Sequence, residues 1–269
     1  MTDTQNTITI VIASAVGGVG RTTITANLAA LLAKQNIKVS VIDADLQFGD
    51  ISLAFDLHPD RTITDAAERK DTENIPFYLM KHDSGVNVLP APSRPEYAEL
   101  ITSDFLLKVI ENLKEDTDVL LIEAQAGLHD LTIQLMEKAD IILTVSTPLM
   151  SALKNTKMMI ETLQLLGLKE KVKLVINQFT SKTMIHPKEI RKLIGVNEAT
   201  FLPKEDKEID HSLDTGIPVV TGHPKLAFTK ELEKMLEDFR WFNHLKKQKA
   251  KDKSGFFHHL RLRTSGQGG

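Results

Sequence analysis

Residues Ser14 to Thr23, "SAVGGVGRTT", follow the apolar run Ile8–Ala13 and lead into "TTITANLAALLAK" (Thr22–Lys34), whose apolar residues recur at helical spacing. A buried strand, a glycine-rich turn and a helix in that order frame a phosphate-binding loop. Gly17, Gly18 and Gly20 let the backbone bend so that successive N–H groups face one anion, and the helix N-terminus adds positive potential. In the pattern G-x-x-x-x-G-K-[ST], Thr22 falls where a hydroxyl reaches Mg²⁺. Ala15 stands at the first glycine of that pattern and Arg21 at its lysine. Two other readings fit the stretch. A dinucleotide fingerprint starting at Gly18 puts Thr23 at its third glycine, and a plain glycine turn joins any strand to any helix.

Working outward, strands alternate with helices. Apolar runs at Lys38–Ile42, Val86–Leu89, Val119–Ile122, Ile141–Val145 and Lys173–Ile176 predict strands, the last ending at Asn177. Helical spacing covers Phe105–Leu113, Ser151–Leu166, Asp206–Thr215 and Lys225–Lys247. Near-continuous Val/Ile/Leu strands separated by helices predict an α/β fold, a mostly parallel sheet with helices on both faces. Ligands of such sheets sit at the carboxyl ends of the strands. Those ends carry the loop, then Asp43 and Asp45, Glu123 and Gln125, Thr147 and Asn177. Each alone is an ordinary cap or turn residue; together they mark a site.

The 269 residues include no cysteine, which excludes disulfides, thiol nucleophiles and thiolate metal sites. The nine histidines lack ligand spacing, and no run of apolar residues is long enough for a membrane span. No secretory signal is expected from the polar start Met1–Thr7, so a cytoplasmic location follows. Charge is uneven: from His244 to Gly269 the chain carries +6, against −9 for the remainder and −3 overall. An acidic body argues against nucleic-acid binding. The expected organisation is one nucleotide-binding domain over 1–245 and a basic tail over 246–269.

The motifs jointly resemble the MinD/ParA/Mrp family of ATPases with a deviant Walker A loop, SGKGGVGKTT. The likeness extends to "VIDADLQFGDISLAFDL" (Val41–Leu57), "VLLIEAQAGLHDLTIQLMEKADIILTVSTP" (Val119–Pro148), "LVINQFT" (Leu174–Thr180) and "FLPKEDKEIDHSLDTGIPVV" (Phe201–Val220). "DADLQFGD" and "RPEYAEL" (Arg94–Leu100) look most like the CpaE/TadZ branch, which serves assembly of Flp-type pili. The resemblance implies ATP and Mg²⁺ as cofactors and a homodimer closed around nucleotide. It assigns the loop Gly17, Gly18, Val19, Gly20, Arg21, Thr22 and Thr23 to the phosphates, and Asn177 with Pro203 to the base. Thr22, Asp43 and Glu123 would serve the metal, Asp45 the attacking water, Arg21 the transferring phosphoryl group, and Gly127 would be the switch glycine. It further implies protein partners in a membrane-associated, pilus-type assembly.

The departures weigh on turnover. Val16 replaces the family's signature lysine, Arg21 the loop lysine, and Glu123 the Walker B aspartate. Arginine is not a neutral exchange for lysine, because its planar fork bonds differently. Phosphoryl transfer depends on positioning and on cations at the transferring group, so ATP binding with weak or absent hydrolysis is expected. An active membrane-cycling ATPase and a partitioning ATPase are the alternatives. The tail Lys246–Arg263, with "SGFFHHLRLR", resembles the C-terminal membrane-targeting helix of MinD-type proteins, implying contact with an anionic membrane from the cytoplasmic side.

Overall fold

The computed structural model describes residues 7–249. The first half of the chain runs β1 (Ile8–Ala13), α1 (Arg21–Lys34), β2 (Val39–Ala44), α2 (Ile51–Ala54), α3 (Ile63–Glu68), β3 (Met80–Lys81), β4 (Asn87–Leu89), α4 (Ser103–Lys114) and β5 (Val119–Ala124). The second half adds α5 (Asp130–Lys138), β6 (Ile141–Ser146), α6 (Met150–Leu165), β7 (Val172–Phe179), α7 (Pro187–Ile194), β8 (Thr200–Pro203), α8 (Asp206–Thr215), α9 (Val219–Gly222) and α10 (Ala227–Glu237). A last helical stretch covers residues 240–249.

The strands form one sheet in the order β3-β4-β2-β5-β1-β6-β7-β8, with only β3 antiparallel. Side chains on successive strand residues point to opposite faces, and both faces here are apolar. Ile10 and Ile12 of β1 join the core under α1, α9 and α10, whereas Val11 and Ala13 join the core under α3, α4 and α5. The same split divides Val119 and Leu121 from Leu120 and Ile122 on β5. That is why these strands read as unbroken apolar runs. A third cluster, including Leu153, Ile160, Ile176 and Ile190, seats α6 and α7 against β7.

The chain winds outward from β1 to β4 on one side, then returns through β5 and crosses to β6–β8 on the other. This reversal sets the carboxyl ends of β2, β5 and β1 side by side, where open α/β sheets build their ligand crevice.

Several expectations are corrected. The helix expected over Lys225–Lys247 is broken at Asp238–Phe239. Phe239 stacks on Trp241 at 5.8 Å between ring centroids, and after the break Phe242 and Leu245 join the core. The expected boundary after residue 245 falls inside the final helical stretch. Within it, Lys246 lies 3.9 Å from Glu237, and Lys249 pairs with Asp118 at 2.8 Å. Two lysines of the expected basic run are therefore folded onto the body; residues 250–269, with the expected membrane segment, lie outside the described residues. Strand β7 does not end at Asn177 but runs on to Phe179.

Helix α1 is nearly all buried, because it lies between the sheet and α9. Asn27 locks that packing: its Nδ2 donates to the Thr23 carbonyl at 2.8 Å, and its Oδ1 accepts from the Val220 N–H at 3.0 Å. Asn27→Ala strands a buried N–H, which costs about 1–3 kcal/mol. Denaturant unfolding of the variant is expected to show that loss at unchanged m-value, since the folded compactness is retained.

Candidate functional site

Each polar residue at the carboxyl ends is placed by a strand and constrained by burial. The loop between β1 and α1 turns through two left-handed glycines, Gly18 (φ 71°) and Gly20 (φ 87°). A Cβ on Gly17 or Gly18 would meet nothing within 4 Å, so this part of the loop is an open cradle of backbone. Gly20 is the opposite case. A Cβ there would lie 2.3 Å from Asn177 Nδ2, so both its left-handed conformation and the close approach require glycine.

Asn177 sits beneath the loop. Its Nδ2 donates to the Val19 carbonyl at 2.9 Å, while its Oδ1 is buried without a hydrogen-bond partner. A bulge aims it there: Gln178 takes φ 56°, and the pairing of β7 with β8 shifts register between Ile176 and Phe179. Pro203 ends β8 opposite Phe179, so it stands on the strand beside Asn177. The resemblance places Asn177 at a base edge; in the structure one N–H of its amide holds the loop and its Oδ1 has no partner.

The acidic residues cluster on the other side of the loop. Asp43 and Glu123 face each other in register on β2 and β5, and both are buried. Asp43 accepts N–H bonds from Asp45 at 3.3 Å and Ile51 at 3.0 Å, and Gly49 packs so closely that a Cβ would fall 2.4 Å from its Oδ2. Glu123 Oε1 accepts from the Thr22 hydroxyl at 2.8 Å, leaving Oε2 buried and unpartnered. Arg21 spans the group: its Nη2 meets Asp45 Oδ2 at 3.0 Å and its Nη1 donates to the Ala124 carbonyl. Gly127 (φ 95°) donates its N–H to the Ser14 carbonyl at 2.8 Å, tying the segment after β5 to the start of the loop.

Arg21, Thr22, Asp43, Asp45 and Glu123 are thus one connected group, and Val19, Gly20 and Asn177 a second beside it. Thr23 is buried behind the loop with its carbonyl held by Asn27. Val16 is half-buried and packs against the core under α1. Gly49, the Ile51 N–H, the Ala124 carbonyl and the bulge at Gln178 were not foreseen. They act through backbone geometry, which side-chain patterns do not encode; the one available sign was the glycine in "DADLQFGD".

The chemistry of the set suits a hard cation beside an anion. A carboxylate oxygen with no partner, next to a threonine hydroxyl and below an open amide cradle, fits Mg²⁺ carrying phosphate oxygens. Thr22 and Glu123 would hold the ion. Asp43 is already closed onto backbone N–H groups.

A parallel α/β sheet with a glycine loop, threonine and buried acid at its switch point defines a P-loop nucleotide-binding protein. The family model described as "NUBPL iron-transfer P-loop NTPase" (ParA) matches residues 5–240, and the chain belongs to this ParA family. Septum site-determining protein MinD of Synechocystis is 30% identical over 229 residues, covering 81% of this chain and 85% of that protein. MinD of Thermotoga maritima is 29% identical, with 81% and 83% covered. Among solved structures, MinD of Pyrococcus horikoshii complexed with Mg-ADP superimposes with a TM-score of 0.79 at 26% identity, over 89% of this chain and 98% of that one.

Burial governs the acids' titration. Loss of solvent raises Glu123 to about 7, a shift limited by the Thr22 hydrogen bond and the Arg21 charge. Asp43 is raised well above the ordinary carboxylate range by the same burial and by repulsion from Glu123. A carboxyl raised in the folded state binds its proton more tightly there, so its contribution is present below the unfolded value and is lost as pH rises through the folded one. With Glu123 going from 4.5 to about 7, the nucleotide- and metal-free protein is expected to lose stability between those pH values, on the order of 3 kcal/mol. Glu123→Gln, which keeps an acceptor for Thr22, should flatten that slope. Urea unfolding in EDTA across pH 4.5 to 8 measures both chains.

Proposed function

We propose that this protein binds Mg-ATP at the Gly17–Thr23 loop and acts as a homodimeric positioning or assembly factor for a membrane-associated machine, turning ATP over slowly or not at all. The observation that carries this reading is a division within the loop. Its backbone cradle has left-handed glycines and open space at Gly17 and Gly18, while its cationic side chains are altered. Val16 bears no charge, and Arg21 is bound to Asp45 and Ala124. Backbone amides carry much of phosphate binding, whereas turnover needs cations at the transferring group.

Likeness to proteins named MinD, one of them solved as a MinC:MinD complex from Aquifex aeolicus at 25% identity, supports a protein partner, while the homodimer rests on the sequence resemblance. The sequence likeness of "DADLQFGD" and "RPEYAEL" to the CpaE/TadZ branch favours a Flp-type pilus system as that machine. Retention of Thr22 and Asp45 supports the second reading, an active membrane-cycling ATPase.

Hydrolysis separates the two. Val16→Lys with Arg21→Lys should raise ATP turnover by at least tenfold, given that one trans cation contributes ~10³–10⁵ in related chemistry. Asp45→Ala should remove the gain. Phosphate release by wild type as fast as by the double variant would favour the cycling ATPase.

Membrane association in this reading is peripheral, through the basic tail; among the described residues no helix is long and apolar enough to cross a membrane. Lys251, Lys253, Arg261 and Arg263 supply positive charge in the tail sequence, at ~1 kcal/mol each near an anionic surface. Co-sedimentation with phosphatidylserine vesicles should be lost at high salt and when the chain is cut after Lys249. Equal pelleting of the cut and intact chains would remove the membrane from this reading.

A further inference from the structure

Arg21 stands at the loop position from which a cation would reach a bound phosphate, yet both ends of its guanidinium are engaged elsewhere. Nη2 holds Asp45 Oδ2 at 3.0 Å and Nη1 the carbonyl of Ala124, the last residue of β5. The two side chains of the ion pair are only 10% and 13% exposed, so the contact is not a loosely solvated surface pair. Ala44 and Ala124 are paired in register, so Arg21 reaches from the first turn of α1 across the end of β5 to the residue just past β2. The side chain crosses the very ground between loop and buried acids.

Two anchors fix the plane of the guanidinium, so turning its fork onto a phosphate means giving up the contacts to Asp45 and Ala124. Asp45 in turn accepts from the guanidinium through its Oδ2. Each group therefore has its charge paired with the other.

We propose that Asp45 is a positioning residue that latches Arg21 away from the phosphate loop, so that an incoming polyphosphate must win the guanidinium from it. Release works in both directions: phosphate that draws Arg21 back frees Asp45 at the same moment. Lysine at this position would offer a compact charge without the planar fork that spans Asp45 and Ala124, so the latch belongs to arginine. This inference rests on the reading that nucleotide phosphates bind at the loop.

A thermodynamic cycle tests it, using the full chain and ATP with Mg²⁺ titrated by calorimetry. In wild type, part of the binding free energy goes to breaking the latch. Asp45→Asn should therefore tighten ATP by roughly fivefold to thirtyfold, the range of coupling seen between contacting groups. It should at the same time lower the melting temperature of the nucleotide-free protein. Arg21→Gln should weaken ATP. In the Arg21→Gln background, Asp45→Asn should change affinity less than about twofold and melting hardly at all.

That last arm separates a latch from mere removal of a negative charge near phosphate. Equal tightening in both backgrounds would overturn the latch, as would an Asp45→Asn affinity no better than wild type's. If wild-type protein binds no ATP, the nucleotide reading falls and the latch with it; ATP binding that ignores Asp45 overturns the latch alone. Asp45→Ser serves in the same cycle should the amide variant fail to fold.

Discussion

Two carboxyl groups buried face to face set the terms for everything around them. Asp43 and Glu123 are register partners on adjacent central strands, and strand pairing leaves neither able to reach solvent. A buried charge is tolerated only when it is paired, hydrogen-bonded or neutralised. Each device appears here. Asp43 is closed by two backbone N–H groups from the segment leading into α2, which fixes that segment's path and demands the bare backbone of Gly49. Glu123 takes the Thr22 hydroxyl and the nearby positive charge of Arg21, and burial still drives its proton affinity upward. The shape of the crevice follows from satisfying these two groups.

The sheet itself was readable from the sequence because burial on both faces produces runs that no helix or half-exposed strand imitates. β1, β5 and β6 were placed to within a residue or two for that reason. Helices α5 and α7 and strand β8 went unread: at nine, eight and four residues they are short, and they are held by packing against α4, α6 and β7. The break after α10 was equally hidden: neither proline nor glycine marks it, and Phe242 and Leu245 beyond it still join the core.

The candidate site was legible as a set of residues but not as a set of contacts. Strand ends told which side chains gather, because a parallel sheet brings its carboxyl termini to one edge. Sequence could not tell that Asn177 turns its amide onto the loop, since that depends on a left-handed Gln178 with no glycine to announce it. Nor could it tell that Arg21 and Asp45, each assigned a separate task by resemblance, spend their charges on one another.

The departures in the loop therefore fall on one kind of position. Gly18 and Gly20, whose φ values lie in the left-handed region, are retained, and Val16 and Arg21 are not among the residues with positive φ. Replacing side chains at such positions leaves the amide cradle as it was. Val16 exchanges a charge for packing against the core under α1, and Arg21 exchanges a point charge for a fork long enough to reach two strand ends. What changes is the supply of cations to a transferring phosphoryl group, which carries the chemistry, and not the array of N–H donors, which carries the affinity. On the proposed reading, affinity and turnover fall to different atoms of the same ten-residue stretch: the amides that the glycines expose, and the side chains at positions 16 and 21.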